Sequence, residues 1–358
     1  MTEAFKFYKN DLNKMLKVGI IGATGYVGAE LIRLLLNHPK VKLEAISSVS
    51  YTGEDISSIY KNFYGKINLI CTDMKEVIKN SDLIFAALPH GLSEEIAELT
   101  IKENKILIDL GADFRLSNEE EYKSWYGLNF SFKDLHKKAI YALPEFNRNK
   151  IKAYKIIANP GCYPTSIELG LMPALKNNLI KLDNIICDSK SGATGAGRSL
   201  TLKTHYTELN ENFSPYAIGN HRHTPEIEEC LSSIAGNKVK VTFTPHLLPI
   251  NRGILSTIYC NLDKEISLED IHKTYMDFYK KEPFINIMPL GETAQIKDVK
   301  YTNNCNISLH LSHNKKQLII ISVIDNMLKG AAGQALQNMN ILMGFEETDG
   351  LDLIAFSN

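Results

Sequence analysis

Cys162 stands in the stretch of sequence with the clearest capacity for covalent chemistry. The residues 159–166, NPGCYPTS, leave an apolar run, turn at Pro-Gly and enter a helix predicted over 164–177. Proline is favoured in the first turn of a helix, so Pro164 suits its start. Cys162 is then at or just before a helix N-terminus, where the dipole stabilises thiolate over thiol. The pattern predicts a nucleophile rather than a structural cysteine.

A thiol nucleophile needs a partner for proton transfer, and two histidines are candidates. His221 and His223 flank an arginine in GNHRHTPE, a polar turn before a predicted helix. Imidazole exchanges protons near neutral pH. The sequence leaves the choice between them open, with a slight preference for His221. A His-x-His pair is also half of a metal site, but no acidic or cysteine cluster at ligand spacing accompanies it, so no metal is expected.

A loop rich in glycine and hydroxyl groups follows a predicted strand at residues 190–199, KSGATGAGRS. We expect it to hold a small phosphate or carboxylate through Ser191, Gly192 and the cationic Arg198. The spacing from Gly192 to Gly197 also approaches a nucleotide-triphosphate loop, which makes an NTP-binding protein the alternative. That alternative is weakened because Arg198 stands where the loop requires lysine.

Two further arginines are candidates for binding the carboxylate of a substrate. They are Arg115, in GADFRL, and Arg252, in LLPINRGIL. A surface ion pair is the alternative for each of them.

A second candidate site lies near the N-terminus, where the apolar run KVGII leads directly into GATGYVGAELI. A strand, a glycine turn and an amphipathic helix form the context that binds the pyrophosphate of a dinucleotide. None of the sixteen tyrosines has lysine four residues later, which argues against a short-chain reductase. The expected cofactor contacts are Gly22, Thr24, Gly25, Tyr26, Val27 and Gly28.

The end of the second predicted strand helps to choose the cofactor. NAD sites usually place a carboxylate there, on the ribose 2′-hydroxyl. This strand ends in Ser47 and Ser48, and Glu44 comes too early. Hydroxyl groups accommodate a 2′-phosphate that a carboxylate would repel, so NADP(H) is favoured.

These candidate residues require two kinds of domain to position them. The first half alternates apolar runs with helical patterns, which predicts a Rossmann-type parallel sheet. Its predicted strands are 17–21, 42–47, 67–72, 82–88, 105–111 and 155–159, with helices at 26–36 and 92–102. Longer Val/Ile/Thr-rich runs follow and predict an α+β substrate or dimerisation domain with a mostly antiparallel sheet. The expected division is 1–161 with 326–358, including a small-residue C-terminal helix, and 162–325.

Composition limits the classes of function. The chain has 358 residues, with 40 Lys+Arg against 41 Asp+Glu, so charge gives no case for binding nucleic acid or a membrane surface. No apolar run reaches a membrane span. The six cysteines are widely spaced, which favours a reducing compartment, and the polar N-terminus lacks a signal-peptide pattern. We therefore expect a cytoplasmic protein whose first sixteen residues are a short extension.

Taken together, the motifs resemble the N-acetyl-γ-glutamyl-phosphate reductase family. The similarity runs in order from about Lys17 to Gly344 and departs slightly at Ala193, where valine is more usual. NPGCYPT together with HRHTPEI distinguishes this family from the related aspartate-semialdehyde dehydrogenases. The motifs that carry it are GATGYVGAEL, GADFRL, ALPE, NPGCYPT, SGATGAGR, HRHTPEIEE, TPHLLPINRGIL and KGAAGQALQNMN.

The resemblance implies an oxidoreductase of arginine biosynthesis that reduces N-acetyl-glutamyl 5-phosphate with NADPH and releases phosphate. It implies that Cys162 forms a thioester, that the 191–198 loop holds the phosphate, and that His221 or His223 relays the proton. It also implies that Asn326 and Gly330 lie near the nicotinamide, and that the chain forms a homo-oligomer, a dimer or a tetramer. Two alternatives stay open: reduction of another acyl phosphate, and an NADP-binding protein without activity.

Overall fold

The structure, a computed structural model, describes residues 15–356 of the chain. Nearly all of the expected N-terminal extension lies outside the described residues. The described chain forms two compact units. The first extends to Pro160 and includes Ala331–Asp352, and the second comprises Gly161–Gly330 with the residues from Leu353 onward. Each unit is built on one seven-stranded sheet.

The sheet of the first unit is parallel in every strand pair, as the alternation of apolar runs and helical patterns predicted. The strand order is β3-β2-β1-β4-β5-β7-β6. This is the Rossmann-type arrangement, and it places the carboxyl ends of all strands along one edge. The strands are β1 (Leu16–Ile21), β2 (Val41–Ser47), β3 (Cys71–Thr72), β4 (Leu83–Ala86), β5 (Ile106–Asp109), β6 (Ala139–Tyr141) and β7 (Ile156–Ala158).

The helices of the first unit connect these strands, as crossovers must in a parallel sheet. The first begins at Tyr26, directly after the glycine turn, and buries Leu31, Leu34 and Leu35. The predicted strand 67–72 is a strand only at its last two residues, which form β3 and pair with β2 alone at the edge of the sheet. The helices are Tyr26–Leu35, Ile56–Ile59, Met74–Asn80, Ser93–Lys102, Glu119–Tyr126, Lys133–His136, Pro144–Ile151 and Gly333–Met343, with a 3-10 turn at Lys61–Phe63.

The sheet of the second unit is mixed and mostly antiparallel, as the sequence predicted. The order is β12-β13-β14-β11-β8-β10-β9, in which only β8–β10 and β12–β13 are parallel pairs. Two strands, β9 and β12, were too short to produce an alternating pattern. The strands are β8 (Ile185–Gly192), β9 (Ser214–Pro215), β10 (Val241–Leu248), β11 (Ile254–Asn261), β12 (Ile285–Ile287), β13 (Cys305–Leu311) and β14 (Gln317–Ile324).

One helix of the second unit, Cys162–Lys176, packs on β11 and β14 of this sheet. Its inward face is not purely apolar, because the hydroxyl of Ser166 lies 3.0 Å from the hydroxyl of Ser256 and 3.1 Å from the carbonyl oxygen of Ser322. These three serines are fully buried. The unit's helices are Cys162–Lys176, Tyr206–Leu209, Thr224–Ala235 and Leu268–Tyr279, with 3-10 turns at Ala193–Ala196, Leu202–Thr204 and Ile296–Asp298.

The chain after β14 forms a π-helical turn, Leu328–Ala332, and then the helix Gly333–Met343. Within the first unit this helix packs against the helices Pro144–Ile151 and Tyr26–Leu35. The buried Asn338 amide donates to the carbonyl oxygen of Ala142 at 2.8 Å and to the Asn159 side chain at 3.0 Å. None of the helices in the described part of the chain has the length and apolar character needed to span a bilayer.

Candidate active site

Cys162 is the first residue of a 15-residue helix, and Gly161 is its N-cap. The prediction of a helix start at 164 was two residues late, since Pro164 occupies the third position, where proline is still tolerated. Among residues 15–356, which contain all six cysteines, Cys162 is half-buried and the other five are buried. The thiol therefore combines partial exposure with the positive end of a helix.

A buried carboxylate anchors the turn in front of Cys162. Glu226 is 2% exposed, and its Oε1 accepts a hydrogen bond from the Gly161 N–H at 2.7 Å. It occupies the third position of the helix Thr224–Ala235, directly after the two-histidine turn. Sequence reasoning did not single out Glu226. The available signal was a glutamate in the first turn of the helix that follows HRH.

The two histidines contact one another and the aromatic residue next to Cys162. The ring centroids of His221 and His223 are 4.9 Å apart, and His221 meets Tyr163 edge-on at 5.6 Å. The Nδ1 atom of His221 accepts the backbone N–H of His223 at 3.1 Å. Burial lowers the pKa of His221 to about 3, helped by His223 and Arg222 and opposed by Glu226. His221 is therefore neutral near pH 7.

Two tyrosines complete this cluster, and neither was predicted as a site residue. The hydroxyl of Tyr216 donates to that of Tyr163 at 3.0 Å. Burial raises the pKa of Tyr216 to about 12 and raises that of Tyr163 as well. Both phenols consequently stay protonated and act as fixed hydrogen-bonding groups. Within the described residues, no group of three or more histidine, cysteine, aspartate or glutamate side chains could hold a metal ion.

The predicted anion loop begins where β8 ends. The N–H groups of Gly192, Ala193 and Thr194 donate to carbonyl oxygens of the segment 250–253, at 2.9, 2.8 and 3.1 Å. These three N–H groups therefore hold the loop in place, and the role of the loop toward an anion stays a prediction. Ser191 is buried with its hydroxyl on the Gly192 carbonyl at 3.0 Å, whereas Arg198 is exposed.

Arg252 lies over the ring of Tyr301, with 4.9 Å between its Cζ and the ring centroid. Its Nη1 is 3.7 Å from the Oδ2 of Asp325, which is fully buried. That carboxylate also accepts the N–H groups of Tyr301 and Met327, at 2.8 and 2.7 Å. Arg252 thus presents a positive charge that is oriented by one aromatic face and one carboxylate.

Asn326 and Gly330 belong to the same segment after β14. The Asn326 side chain is 2% exposed and is bonded to the Gly253 N–H and the Thr194 hydroxyl. Gly330 lies beside Cys162, since a methyl group at position 330 would come within 2.7 Å of the Cys162 Cβ. Six predicted residues of the second unit thereby share one connected region: Cys162, His221, Gly192, Arg252, Asn326 and Gly330.

The glycine turn of the first unit fits a dinucleotide. A side chain on Gly28 would come within 2.3 Å of the Gly22 carbonyl oxygen, and one on Gly22 would meet the Ala87 carbonyl oxygen at 2.3 Å. Gly22 also has a positive φ of 87°. The turn therefore requires glycine at both positions. Because these glycines carry no side chain, a pyrophosphate can approach the backbone N–H groups at the start of the helix Tyr26–Leu35. Tyr26 is 38% exposed and Val27 half-buried at this helix start.

The hydroxyl groups at the end of β2 join this turn. Ser48 Oγ is 2.7 Å from Thr24 Oγ1, and the Ser47 carbonyl oxygen accepts the N–H groups of Gly22 and Ala23. Both serines are buried, at 5% and 7% exposure. The structure thus brings together Gly22, Thr24, Ser47 and Ser48, and their role toward a cofactor stays a prediction.

Arg115 belongs to the first unit. Its guanidinium donates to the carbonyl oxygens of Asn159 and Leu110, at 2.9 and 2.8 Å. These bonds hold the residues that follow β5 and β7. Its role toward a substrate stays a prediction.

Family models and solved structures define the class of protein. Residues 17–154 match the semialdehyde dehydrogenase NAD binding domain, and residues 162–326 match the semialdehyde dehydrogenase dimerisation domain. Aspartate semialdehyde dehydrogenase II of Vibrio cholerae, complexed with ASA, has TM-score 0.72, 17% identity and coverage of 93% of this chain and 99% of its own. The Candida albicans enzyme with NADP has TM-score 0.69 and 16% identity over 92% of this chain and 98% of its own. The fold is that of the semialdehyde dehydrogenases.

Closer relatives narrow the class. An N-acetyl-gamma-glutamyl-phosphate reductase of Clostridium botulinum (strain Alaska E43 / Type E3) is 68% identical over 95% of this chain and 99% of the relative. One from Clostridium beijerinckii is 65% identical over the same shares. The chain belongs to the N-acetyl-γ-glutamyl-phosphate reductase family, whose members are oxidoreductases. The family, the fold class and the reductase function predicted from the sequence are confirmed.

Proposed function

We propose that this chain reduces N-acetyl-γ-glutamyl 5-phosphate to the 5-semialdehyde with NADPH, through a thioester on Cys162. The observation that carries the proposal is the position of Cys162, a half-buried thiol at the first residue of a long helix. Substrate and reaction are those named for relatives up to 68% identical. The product places the enzyme in arginine biosynthesis, as the family resemblance implies.

The covalent step uses the helix N-terminus. The sulfur of Cys162 attacks the acyl carbon, the bond from carbon to the phosphate oxygen breaks, and phosphate leaves with its electron pair. The carbonyl oxygen gains negative charge during attack, and N–H groups of the first helical turn are donors for it. Glu226 supports this step indirectly, because its bond to the Gly161 N–H fixes the turn before Cys162.

His221 and His223 have different roles in proton transfer. Since Nδ1 of His221 accepts the His223 N–H, the proton of the neutral ring is on Nε2. In this tautomer His221 donates a hydrogen bond to the thiolate or to the acyl oxygen. The thiol proton then passes to His223, which is the remaining imidazole of the turn. The sequence left open which histidine transfers the proton. In this proposal both take part: His221 donates a hydrogen bond and His223 accepts the proton.

The charged groups of the second unit suit the anionic ends of the substrate. Arg198 is exposed on the loop after Ser191, where it binds the departing phosphate. Arg252 is held by Asp325 and Tyr301, and it binds the substrate carboxylate. Arg115 is a second candidate for that carboxylate.

The dinucleotide is held by the first unit. Gly22, Gly25 and Gly28 leave backbone N–H groups and the helix start open to the pyrophosphate, and Ser48 with Thr24 offers hydroxyl groups to a 2′-phosphate. NADPH, when held by this turn, would supply the hydride that reduces the carbonyl carbon of the thioester. The C–S bond of the resulting thiohemiacetal then breaks, which releases the aldehyde and restores the Cys162 thiolate.

We further propose a cytoplasmic homo-oligomer, a dimer or a tetramer, assembled through the second unit. The match of residues 162–326 to a dimerisation domain supports it. Size-exclusion chromatography with light scattering tests the assembly, and a monomer at assay concentration would contradict it. Fractionation of cells tests the location.

The test of function runs the reaction in reverse. Purified protein is given N-acetylglutamate semialdehyde, phosphate and NADP⁺, with NAD⁺ and aspartate semialdehyde as controls. We expect phosphate-dependent formation of NADPH, lowered at least about a thousandfold in Cys162→Ser and retained in the matched variant Cys71→Ala. Activity that survives Cys162→Ser would refute the nucleophile. Turnover of aspartate semialdehyde alone would refute the substrate.

A further inference from the structure

Tyr301 has a backbone conformation that residues with a side chain rarely adopt. Its φ angle is +64°, in the left-handed region, where the Cβ atom crowds the following carbonyl oxygen. Asparagine tolerates this region, but a bulky aromatic residue there is an outlier. Such strain persists only where the surrounding structure imposes it, and it often marks a functional site. Tyr301 is the one aromatic member of the non-glycine residues with positive φ between residues 15 and 356, which are Asn104, Asn178, Asn184, Glu211, Ala217, Tyr301 and Lys315.

The residues on either side of Tyr301 hold the turn in this conformation. Val299, Thr302 and Asn303 are fully buried. The Val299 carbonyl oxygen accepts both the N–H and the hydroxyl of Thr302, at 3.1 and 2.8 Å. The N–H of Tyr301 itself donates to the Oδ2 of Asp325 at 2.8 Å. Buried neighbours and one buried carboxylate therefore stabilise the strained backbone.

The same carboxylate faces Arg252. The Nη1 of Arg252 lies 3.7 Å from that Oδ2 atom, and its Cζ lies 4.9 Å from the centroid of the Tyr301 ring. Tyr301 thus contacts both members of the ion pair, the carboxylate through its N–H and the guanidinium through its ring. The Arg252 side chain is 16% exposed, so the contact between cation and ring is largely shielded from water.

The backbone beside Arg252 is fixed as well. The next residue, Gly253, has a φ of +118°, and a side chain there would come within 2.2 Å of Ile296. Because the backbone is fixed at one end and the guanidinium is held at the other, few orientations of Arg252 remain. A guanidinium binds a carboxylate through N–H groups that lie in one plane, so the orientation of that plane decides how well the two groups match. Fixing it in advance lowers the entropy lost when a ligand binds.

We propose that Tyr301 is a positioning residue that orients Arg252 toward the carboxylate of the substrate, and that its strained backbone is kept for this role. The inference rests on the proposed function, which assigns Arg252 to that carboxylate. A residue that served only the turn would be glycine, which adopts the same conformation without strain. What glycine lacks is the ring, and the ring lies against Arg252.

Three variants of Tyr301 separate the ring from the backbone. Tyr301→Phe keeps the ring, Tyr301→Ala removes the ring but keeps the strain, and Tyr301→Gly removes both. Lys300→Ala and Phe356→Ala are the matched controls, because each removes a neighbour of the ring, at 5.8 Å, other than Arg252. Steady-state kinetics of the reverse reaction give kcat and the KM values for the semialdehyde and for NADP⁺, and a thermal melt gives the stability of each variant.

We expect the KM for N-acetylglutamate semialdehyde to rise about fivefold in Tyr301→Ala and Tyr301→Gly, as for loss of one shielded cation–π contact. In Tyr301→Phe and both controls it should stay within about twofold of the wild-type value, because the contact is intact. Values of kcat and of the KM for NADP⁺ should change less than about twofold throughout, since only binding of the carboxylate is affected. Tyr301→Gly should melt at a higher temperature than Tyr301→Ala despite an equal KM, because only alanine retains the strain.

A second aldehyde tests whether the effect depends on the carboxylate. 4-Acetamidobutanal is the same aldehyde without that group, so its kcat/KM should be equal in the wild type and in the Tyr301 variants. Combining Tyr301→Ala with Arg252→Ala should raise the KM for the semialdehyde no further than Arg252→Ala alone, because Tyr301 acts only through Arg252.

Four results would overturn the inference. They are an unchanged KM for the semialdehyde in Tyr301→Gly, an equal rise in Tyr301→Phe, an equal loss with 4-acetamidobutanal, or an additive effect in the double variant. If Tyr301→Ala fails to fold, Tyr301→Gly replaces it, since glycine adopts this turn freely. A wild type that does not turn over the semialdehyde would refute the proposed function instead. Calorimetric titration with N-acetylglutamate, which has the same carboxylate, then tests Tyr301, and equal affinity in the wild type and Tyr301→Gly would overturn the inference.

Discussion

Gly330 lies so close to Cys162 that the addition of one methyl group would bring two carbon atoms within 2.7 Å of each other. The Gly330 N–H is bonded to the Asp325 carbonyl oxygen, so the segment is tethered and cannot simply retreat. A nucleophile at a helix start is therefore fixed from two directions: by its own helix and by the chain that follows β14.

Gly330→Ala should displace Cys162 without altering its chemistry. We expect kcat to fall about a hundredfold, because a shift of the order of one ångström has that effect on a reacting group. Steady-state kinetics measures it, and the Kd for NADPH with a thermal melt serves as control. A kcat equal to that of the wild type would show that the close contact between Gly330 and Cys162 does not affect catalysis.

Glu226→Ala should leave the buried Gly161 N–H without an acceptor. The cost is about 1–3 kcal/mol of unfolding free energy, and activity should fall because the turn before Cys162 loosens. Glu226→Gln is the matched control, since its amide oxygen can still accept the same bond. Denaturant titration measures stability. Equal loss in both variants would mean that the charge, and not the bond to Gly161, matters.

Alkylation should be selective. The folded protein should take up one equivalent of iodoacetamide, on Cys162, because the other cysteines are buried. Peptide mass mapping identifies the site, and prior incubation with the semialdehyde should slow the reaction. Modification of a buried cysteine at a comparable rate would contradict the assignment.

Stability should depend on the charge state of His221. Its pKa is lowered to about 3 by burial, so the unfolded chain binds the proton first as the pH falls. Stability is therefore complete above about pH 6.5 and is lost progressively toward pH 3. Between about pH 7.5 and about pH 5, the wild type should lose up to about 2 kcal/mol more than His221→Gln. Urea titration at both pH values measures the difference, and parallel curves would refute it.

Two glycines of the dinucleotide turn should respond differently to alanine. Gly28→Ala forces its Cβ onto the Gly22 carbonyl oxygen at 2.3 Å, whereas Gly25→Ala meets that oxygen at an ordinary 3.5 Å. We expect Gly28→Ala to lower both the melting temperature and NADPH affinity. Gly25→Ala should keep the melting temperature, so that any loss of affinity reports steric contact with the ligand. A stable, tightly binding Gly28→Ala protein would contradict the tight turn.

Most of the fold could be predicted from the long apolar runs and from the glycine and proline residues that separate them. The start of the helix Tyr26–Leu35 was predicted at its correct residue because Gly25 ends a turn in front of it. The short strand Ala139–Tyr141 was missed because three residues establish no period.

In the candidate site, motif residues were recognisable but their roles were not. Cys162 is detectable from its turn, since local sequence decides where a helix begins. Tyr216 and Glu226 were missed because each acts on a residue more than fifty positions away, Tyr163 and Gly161 respectively. Local pattern contains no information on such distant pairs. The same limit applies to Asn326, whose partner Thr194 is 132 positions earlier.

The buried serines beneath the helix Cys162–Lys176 fix the rotation of that helix about its axis. Apolar side chains pack almost equally well after a small rotation, but the Ser166 hydroxyl reaches the Ser256 hydroxyl and the Ser322 carbonyl oxygen in one orientation only. Four residues earlier, the same orientation decides where the sulfur of Cys162 points. The direction in which the nucleophile points is thus set by polar groups in the core, and not by groups that contact the substrate.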